Sequence, residues 1–444
     1  MEPVSPQYVR PWLPKSSPPS YRFTGARILD VVSGKIFPNS SILLSNGLIQ
    51  TVALSRAPPR PPPDTIELNL QGAYIIPGLI DCHVHLAAVP GSTSLSSILS
   101  TPSDPALLRM THVLRQILCR GFTTVRDCGG APSALKSAIA ECLLPGPRLF
   151  IAGHALSQTG GHGDFRSPHD HSHPDYCAGS FVSSLGRVCD GVPACLAAAR
   201  EELRCGADFL KIMCGGGVVS PSDKLENLQF SPEEMRAVVD VAGRAGTWVT
   251  ARAYTPQAMR TAVECGVRGV EHGNFLDRST AELMKEKGTW LTPTLVAYEM
   301  MGDPALPQIL PEEAKGKNEK VLAEGLGALR VAKDVGVKMC YGSDLLGPLG
   351  RYQAKEFAIR AQVLEPLDVL QSATVNGAEM LGLSDLGQVK EGFKADLLIL
   401  KSNPLEDVGL FEREEEILAV IKDGRVWRSR MPELSGILDK LEEL

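Results

Sequence analysis

The sequence predicts an α/β protein whose main part is a TIM-like (β/α)8 barrel, with a small β-sandwich built from both chain termini. Strand-like and helix-like stretches alternate through the middle of the chain, which is the pattern of a parallel α/β fold. Eight strand candidates fall within roughly 300 residues, which is the size of a (β/α)8 barrel. These candidates are residues 79–84, 123–128, 148–153, 209–213, 248–253, 269–271, 290–293 and 338–342.

Short β-like stretches flank this region at both ends of the chain. Asn46-Gly47 lies between two apolar stretches and is a strong hairpin signal, and Asp423-Gly424 is a similar turn near the other end. Because chain ends often meet in space, we expect strands from both ends to form one sandwich. The expected domains are a Pro-rich flexible arm over 1–21, sandwich strands over 22–76, the barrel over 77–380, and the remaining sandwich with a C-terminal tail over 381–444.

The composition narrows the class of function. The 444 residues are 43% hydrophobic and 22% charged, which is typical of a large globular protein. The net charge of −6 without a basic block argues against nucleic acid and anionic membranes as partners. Eleven scattered cysteines favour reduced thiols, and the sequence shows neither a secretory signal nor an apolar stretch of transmembrane length. We therefore expect a cytoplasmic protein that acts on a small molecule.

The first predicted barrel strand ends in two histidines. Strands have a side-chain period of two, so His83 and His85 point to the same side, about 6 to 7 Å apart along the backbone. Two imidazoles that converge in this way can hold one divalent metal. A His-x-His pair alone fits a solvated strand edge equally well, so the residues further along the chain decide between the two interpretations.

Three more polar residues fall at or near predicted strand ends, where the chemistry of a (β/α)8 barrel collects. Lys211 lies inside an apolar strand, and lysine is rarely buried without a partner or a function. His272 follows the sixth strand and Asp344 follows the eighth. Each alone is compatible with packing or helix capping, but together with the histidine pair they predict one functional site.

Two residues could contact a substrate. His162 lies in a glycine-rich loop after the third strand, where glycines allow close approach of the backbone to a ligand. Its ring could hydrogen-bond a substrate carbonyl or the developing oxyanion, or it could be exposed in a simple turn. Tyr254 lies just beyond the fifth strand, and its hydroxyl could hold a carbonyl or carboxylate, or the ring could pack at the barrel rim.

In this order the motifs resemble those of the amidohydrolase superfamily, specifically the imidazolonepropionase-like branch with prolidase-type and ochratoxin-hydrolysing amidases. The matching stretches are PGLIDCHVH at 77–85, GFTTVRD at 121–127, ALSQTGGHGD at 155–164, FLKIM at 209–213, VEHG at 270–273 and GSD at 342–344. The resemblance covers residues 22 to 430. It implies a metal-dependent hydrolase that cleaves a carbon–nitrogen bond of an amide, and an assembly of identical subunits.

The resemblance also implies a role for each candidate residue. His83 and His85 resemble ligands of a buried metal, and His272 resembles a ligand of a second one. Lys211 resembles a lysine that takes up CO2 to form a carbamate bridging two metals. Asp344 resembles a residue that binds the first metal, accepts a proton from the bridging water and passes it to the leaving amine. Zinc suits imidazole, carbamate and carboxylate ligands.

One position departs from the family pattern. Arg252 stands where the family has a metal-binding histidine at the end of the fifth strand. Arginine stays protonated and has no lone pair to offer, so it cannot ligate a cation. Its charge also opposes a second metal, because at about 4 Å and an effective dielectric constant near 20 the repulsion costs several kcal/mol.

Three interpretations of Arg252 remain open. In the first, one metal binds His83, His85 and Asp344 while Arg252 replaces the second metal, pairing with a carbamylated Lys211 or orienting a substrate carbonyl or carboxylate. In the second, the site is a mononuclear decarboxylase, lyase or cyclase, or it only binds a ligand. In the third, Arg252 inactivates a dinuclear enzyme. We favour an amidohydrolase acting on a small dipeptide-like, N-acyl amino acid or aryl amide substrate, with one or two zinc ions.

Overall fold

The computed structural model describes residues 9–14, 16–55, 60–99, 101–166, 169, 185–220, 223–306 and 309–439. The first eight residues of the predicted flexible arm lie outside this part of the chain. Within the described ranges, no helix is long and apolar enough to cross a membrane.

The strands of the described chain belong to one mixed sheet and two parallel sheets. In chain order they are β1 (Tyr21–Asp30), β2 (Lys35–Ser45), β3 (Leu48–Ala53), β4 (Ile66–Asn69), β5 (Tyr74–Pro77), β6 (Leu79–Val84), β7 (Phe122–Asp127), β8 (Arg148–Ile151), β9 (Ala155–Ser157), β10 (Gly186–Val188), β11 (Leu210–Met213), β12 (Val249–Ala253), β13 (Gly269–His272), β14 (Trp290–Thr292), β15 (Leu397–Leu400), β16 (Ile417–Lys422) and β17 (Arg425–Ser429).

The α-helices lie mainly between the parallel strands. In chain order they are α1 (Leu95–Leu99), α2 (Ser103–Cys119), α3 (Ser133–Ala140), α4 (Val192–Arg204), α5 (Pro232–Arg244), α6 (Pro256–Glu264), α7 (Arg278–Lys287), α8 (Leu295–Met301), α9 (Glu312–Val335), α10 (Lys355–Arg360), α11 (Pro366–Ser372) and α12 (Val375–Met380). Proline lies in the first turn of α4 and an acidic pair in that of α9, and a basic residue lies in the last turn of each.

Strands from both ends of the chain meet in one eight-stranded sheet. Its order is β17-β16-β15-β5-β1-β2-β3, and β4 pairs with β1. Asn46 and Gly47 turn β2 into β3, and Asp423 and Gly424 turn β16 into β17, all four with positive φ. Asn, Asp and Gly tolerate this left-handed conformation, so both turn predictions are confirmed. The arrangement of this sheet as a two-layer sandwich stays a prediction.

Parallel strands build the central part of the molecule, as the alternating pattern indicated. They form a three-stranded sheet, β6-β7-β8, and a six-stranded sheet, β10-β9-β11-β12-β13-β14. Only Gly78 separates β5 from β6, so the chain passes directly from the terminal sheet into the parallel strands. Gly78 also has no room for a side chain, because a Cβ there would overlap Thr123.

A closed ring of eight strands is not formed in the described chain, and this corrects the barrel prediction. The expected eighth strand, 338–342, pairs with β14 through a single bridge at Met339. On its other side, Tyr341 O accepts a hydrogen bond from Cys82 N at 2.8 Å. Its other backbone groups have different partners: Arg360 Nη1 donates to Cys340 O at 2.9 Å, and Tyr341 N donates to Ser372 O at 2.9 Å. Segment 338–342 therefore joins β14 and β6 through a few backbone hydrogen bonds rather than through two full ladders.

A buried ion pair anchors this segment. Arg360 Nε donates to Glu356 Oε1 at 2.7 Å, and both side chains are fully buried. Arg360 also donates to Pro293 O just beyond β14 at 2.7 Å, while Glu356 Oε2 accepts from Val296 N at 2.7 Å. One side-chain pair therefore holds segment 338–342, the end of β14 and the start of α8 together.

We expect Arg360→Met to lower the free energy of unfolding by about 3–5 kcal/mol, because removing one partner leaves a buried charge uncompensated. Arg278→Met is the matched control, since Arg278 and Glu282 form an i,i+4 pair on the surface. Such exposed pairs contribute about 0–1 kcal/mol. Urea denaturation followed by circular dichroism measures both variants. Equal losses in the two variants would contradict the anchoring role of Arg360.

Candidate active site

The residues selected from the sequence converge on one cavity of about 60 Å³. All eight line it: His83, His85, His162, Lys211, Arg252, Tyr254, His272 and Asp344. They are brought together because parallel strands end at the same edge, so residues far apart in the chain meet there. The structure therefore places the predicted site residues in one group, and their individual roles stay predictions.

His83 in β6 and His85 just beyond it both direct Nε2 toward the carboxylate of Asp344. His83 Nδ1 lies 2.6 Å from Glu271 Oε2, and His85 Nδ1 lies 2.9 Å from Gly129 O. A carbonyl and a carboxylate only accept, so each Nδ1 carries the hydrogen. The two Nε2 atoms each lie 3.4 Å from Asp344 Oδ1. Burial lowers the pKa of His85 to about 4, which leaves its Nε2 lone pair free near neutral pH.

Two buried polar atoms of the cavity have no hydrogen-bond partner within the described chain. They are His83 Nε2 and Lys211 Nζ. Unpartnered buried polar atoms are costly, so their presence fits a site built for a further group. Ligand atoms of His83, His272 and Asp344 lie within 4.8 Å of one another. Imidazoles and a carboxylate suit a divalent cation, so these side chains could hold a metal ion.

Glu271 orients His83 and was missed by the sequence analysis. Its buried carboxylate accepts from Arg126 Nη2 at 2.7 Å and from Thr250 Oγ1, in addition to His83. Burial alone would raise the pKa of Glu271, but the charges of Arg126 and His83 outweigh it and hold the pKa below its usual range. The sequence did contain a feature that could have indicated this pair: Arg126 and Glu271 are charged residues, and each lies inside an apolar strand. Such a carboxylate fixes both the tautomer and the orientation of a metal-binding histidine.

Two site residues adopt an unusual backbone conformation. His272 has φ of 71° and Asp344 has φ of 52°, a region that non-glycine residues avoid. Asp344 N donates to His83 O at 2.8 Å, and hydroxyls of Thr294 and Tyr298 lie 2.8 and 3.0 Å from His272 Nδ1. Backbone strain that persists in a structure is concentrated at functional sites, because the surroundings over-determine it.

Arg252 occupies the other side of the site. Its guanidinium donates to Gly216 O at 3.0 Å and to Tyr254 OH at 2.8 Å, and Cζ lies 4.4 Å from the centre of the Tyr254 ring. Tyr254 OH is in turn 2.8 Å from Tyr298 OH, which contacts His272. Tyr298, on α8, had no sequence signal because nothing in the pattern of its helix distinguishes it.

The charge of Arg252 affects the pKa values of two histidines that line the cavity. Burial lowers the pKa values of His162 and His272 well below the usual range, and the positive charge of Arg252 lowers both further. His272 is the residue that the resemblance assigns to a second metal. A fixed cation close enough to disfavour protonation of this ring also disfavours a second metal ion beside it.

Apolar side chains complete the lining of the cavity. They are Phe165, Leu185, Met213, Val218, Val219, Met301 and Leu346. A few polar groups within an apolar wall are typical of small-molecule sites, where the polar groups fix orientation and the wall excludes water.

The family model of the amidohydrolase family matches residues 74–427. The chain belongs to the amidohydrolase family. It is accordingly a hydrolase that acts on carbon–nitrogen bonds. The ochratoxinase of Aspergillus niger is 28% identical over 428 residues, which cover 91% of this chain and 87% of that protein. The suspected family and its branches are therefore confirmed.

Solved structures of family members agree closely with this fold. A crystal structure of an amidohydrolase has 41% sequence identity and a TM-score of 0.89, and it covers 93% of this chain and 100% of its own. A crystal structure of a prolidase complexed with N-methylphosphonate-L-proline has 39% identity and a TM-score of 0.88, with the same coverage.

We expect Glu271→Gln to weaken binding of Zn²⁺ by about 10- to 100-fold, because metal-bound histidines depend on such carboxylates for orientation. Isothermal titration calorimetry of metal-free protein with zinc measures the change. Glu202→Gln is the matched control, since Glu202 is a buried carboxylate 3.2 Å from His154 Nδ1, and neither residue lines the cavity. Unchanged zinc affinity in Glu271→Gln would contradict this role.

Proposed function

We propose that this amidohydrolase uses one divalent metal, zinc, to cleave the amide bond of an N-acyl amino acid or dipeptide-like substrate. The observation that carries the proposal is the convergence of His83 Nε2 and His85 Nε2 on one oxygen of Asp344, 3.4 Å from each. Both rings are anchored through Nδ1, so the ligand set is arranged before a metal arrives.

His83, His85 and Asp344 would hold the metal. A divalent ion supplies Lewis acidity, which lowers the pKa of water toward neutrality and polarises an amide carbonyl. Burial alone would raise the pKa of Asp344, but the neighbouring His83 and His85 outweigh it and hold the pKa below its usual range. Asp344 is therefore ionised, and its carboxylate can accept the proton of the attacking water and deliver it to the leaving nitrogen.

Arg252 and Tyr254 would bind the carboxylate of the substrate. The Arg252 guanidinium is 5% exposed and lines the cavity beside the Tyr254 hydroxyl, which it contacts at 2.8 Å. A planar guanidinium matches a carboxylate in geometry and charge. Burial raises the pKa of Tyr254 to about 12, so its hydroxyl stays protonated and can donate. This receptor favours amides that carry a carboxylate over simple aryl amides.

Lys211 would carry a carbamate in this proposal. Its Nζ is buried without a hydrogen-bond partner in the described structure, and it shares the cavity with Arg252. Conversion of the amine to an anionic carbamate would give Arg252 and the metal a negative counter-charge. Arg252 would then take the place of a second metal without leaving unpaired positive charge in a buried site.

The remaining parts of the proposal concern the surroundings of the site. The two parallel sheets and segment 338–342 would together form the barrel-type enclosure of the family. No disulfide joins two of the ten described cysteines, which supports a reducing, cytoplasmic setting. Assembly into a homo-oligomer, and the absence of nucleic-acid and membrane partners, complete the proposal. Sedimentation velocity at several concentrations measures the assembly.

The number of metals tests the role of Arg252. We expect about one zinc per chain in the parent and about two in Arg252→His, because the substitution removes a cation and supplies a ligand. Inductively coupled plasma mass spectrometry measures both. Arg268→His is the control, since Arg268 lies outside the cavity and donates to Glu379 O. A metal-free parent beside a two-zinc variant would reject the single-metal enzyme and show that Arg252 disables the centre.

Substrate preference tests the carboxylate receptor. We expect the parent to hydrolyse an N-acyl amino acid with kcat/KM about 10- to 100-fold above that of the same amide without its carboxylate, as for a lost charged hydrogen bond. Arg252→Met should bring the two substrates to nearly equal kcat/KM. Steady-state kinetics on both measures the preference. A preference that survives in Arg252→Met would place the carboxylate elsewhere, and absence of hydrolysis of any amide would reject the proposed function.

A further inference from the structure

A buried hydrogen-bond network lies behind His162. The Asp223 carboxylate accepts from Ser220 Oγ, from Gly217 N at 3.1 Å and from Gln229 Nε2 at 2.7 Å. Asp223, Ser220 and Gln229 are at most 5% exposed. Lys317 Nζ lies 3.8 Å from Asp223 Oδ1 and adds a positive charge. Three donors and a nearby cation therefore surround this carboxylate, which accepts in all three hydrogen bonds.

The contacts of Ser220 determine where the hydrogens of this network lie. Ser220 Oγ donates to Asp223, so its single hydroxyl hydrogen points to that carboxylate. Ser220 Oγ can then only accept from His162 Nδ1, which lies 2.9 Å away. A neutral imidazole carries one hydrogen, and this contact places it on Nδ1. The other ring nitrogen, Nε2, therefore bears a lone pair.

We infer that Ser220 and Asp223 are positioning residues that fix His162 as the Nδ1–H tautomer, which makes Nε2 a hydrogen-bond acceptor for a substrate N–H group. The ring lines the same cavity as Arg252 and Lys211. Burial and the charge of Arg252 lower the pKa of His162 well below its usual range, so the ring is neutral near pH 7.

The surroundings also hold the ring in one orientation. His162 N donates to Gln229 Oε1 at 3.0 Å, so one glutamine contacts both His162 and Asp223. The ring packs directly on Gly217, where an added Cβ would come within 1.9 Å of Nδ1. Lys317 donates to Gly217 O at 3.1 Å and ties this backbone to α9. Little space is left for the imidazole to rotate and exchange its two nitrogens.

His162 is then a hydrogen-bond acceptor toward the substrate, whereas the sequence analysis expected it to donate to a carbonyl or an oxyanion. A neutral ring with a lone pair on Nε2 cannot donate to a carbonyl or an oxyanion, but it can accept from an amide N–H. The buried guanidinium of Arg252, in the same cavity, disfavours a substrate ammonium group. The inferred substrate is therefore a secondary amide rather than an N-alkylated one. This assignment of the substrate rests on the proposed hydrolase function, whereas the tautomer does not.

Nitrogen NMR of protein labelled with ¹⁵N-histidine tests the tautomer directly. Coupling of ring nitrogens to ring protons distinguishes N–H from lone-pair nitrogens, and loss of one signal set in His162→Gln assigns His162. We expect the Nδ1–H form in the parent and in Ser220→Thr, and a mixture of tautomers in Ser220→Ala. An Nε2–H ring in the parent, or an unchanged tautomer in Ser220→Ala, would overturn the inference.

Kinetics with an N-acyl amino acid and its N-methyl analogue tests the substrate contact. We expect the parent and Ser220→Thr to favour the secondary amide by about 10-fold or more in kcat/KM, as for one lost hydrogen bond to a buried acceptor. Ser220→Ala should show a smaller ratio. An equal ratio in parent and Ser220→Ala would reject the contact. If neither amide is hydrolysed by any of these proteins, the proposed function fails while the NMR result still decides the tautomer.

Discussion

The buried carboxylate of Glu271 joins the fold and the candidate site. It binds His83 of β6 at 2.6 Å and Arg126 of β7 at 2.7 Å, and it also accepts from Thr250 of β12. The first two strands belong to the three-stranded sheet, whereas β12 and β13 belong to the six-stranded one. A charge that is fully buried persists only where several partners satisfy it. The interactions that satisfy Glu271 therefore also join the two open sheets and orient the first histidine of the site.

Arg252 determines the charge balance on the opposite side of the cavity. A second metal would be a mobile cation that needs its own ligands, whereas Arg252 is a cation held covalently by β12. It is held by Gly216 O at 3.0 Å and by the Tyr254 hydroxyl at 2.8 Å. Among the described residues, these contacts hold the guanidinium without a carboxylate partner, so in the proposed function its charge is available to a substrate anion. This arrangement supports the proposed carboxylate receptor, in which Arg252 has a role in binding rather than an inactivating one.

The sequence predicted those features that depend on local pattern and on order along the chain. Apolar runs marked β6 and the following parallel strands, and polar residues within or at the end of these runs, such as Lys211 and His272, were found for that reason. The pairing of Arg126 with Glu271 joins residues 145 positions apart, and no local pattern encodes such a contact. Segment 338–342 has the composition of a strand, but Arg360 takes its Cys340 carbonyl. The composition of a segment shows that it can form a β-strand. It does not show whether neighbouring strands are available to hydrogen-bond with it.

Some polar groups of the cavity donate hydrogen bonds and others accept them, and this difference determines how a substrate can be oriented in the site. Arg252 donates hydrogen bonds, one of them to the Tyr254 hydroxyl, whereas Nε2 of His162 accepts in the inferred tautomer. In an N-acyl amino acid, the amide N–H and the carboxylate are separated by a single carbon atom. In the proposed binding mode, the substrate would present its donor and its anion from the nitrogen side of the scissile bond, and its carbonyl would face His83, His85 and Asp344. An amide bound in the opposite orientation would direct its carbonyl oxygen at the lone pair of His162. It would lose the hydrogen bond to His162, and its carbonyl would not face His83 and His85.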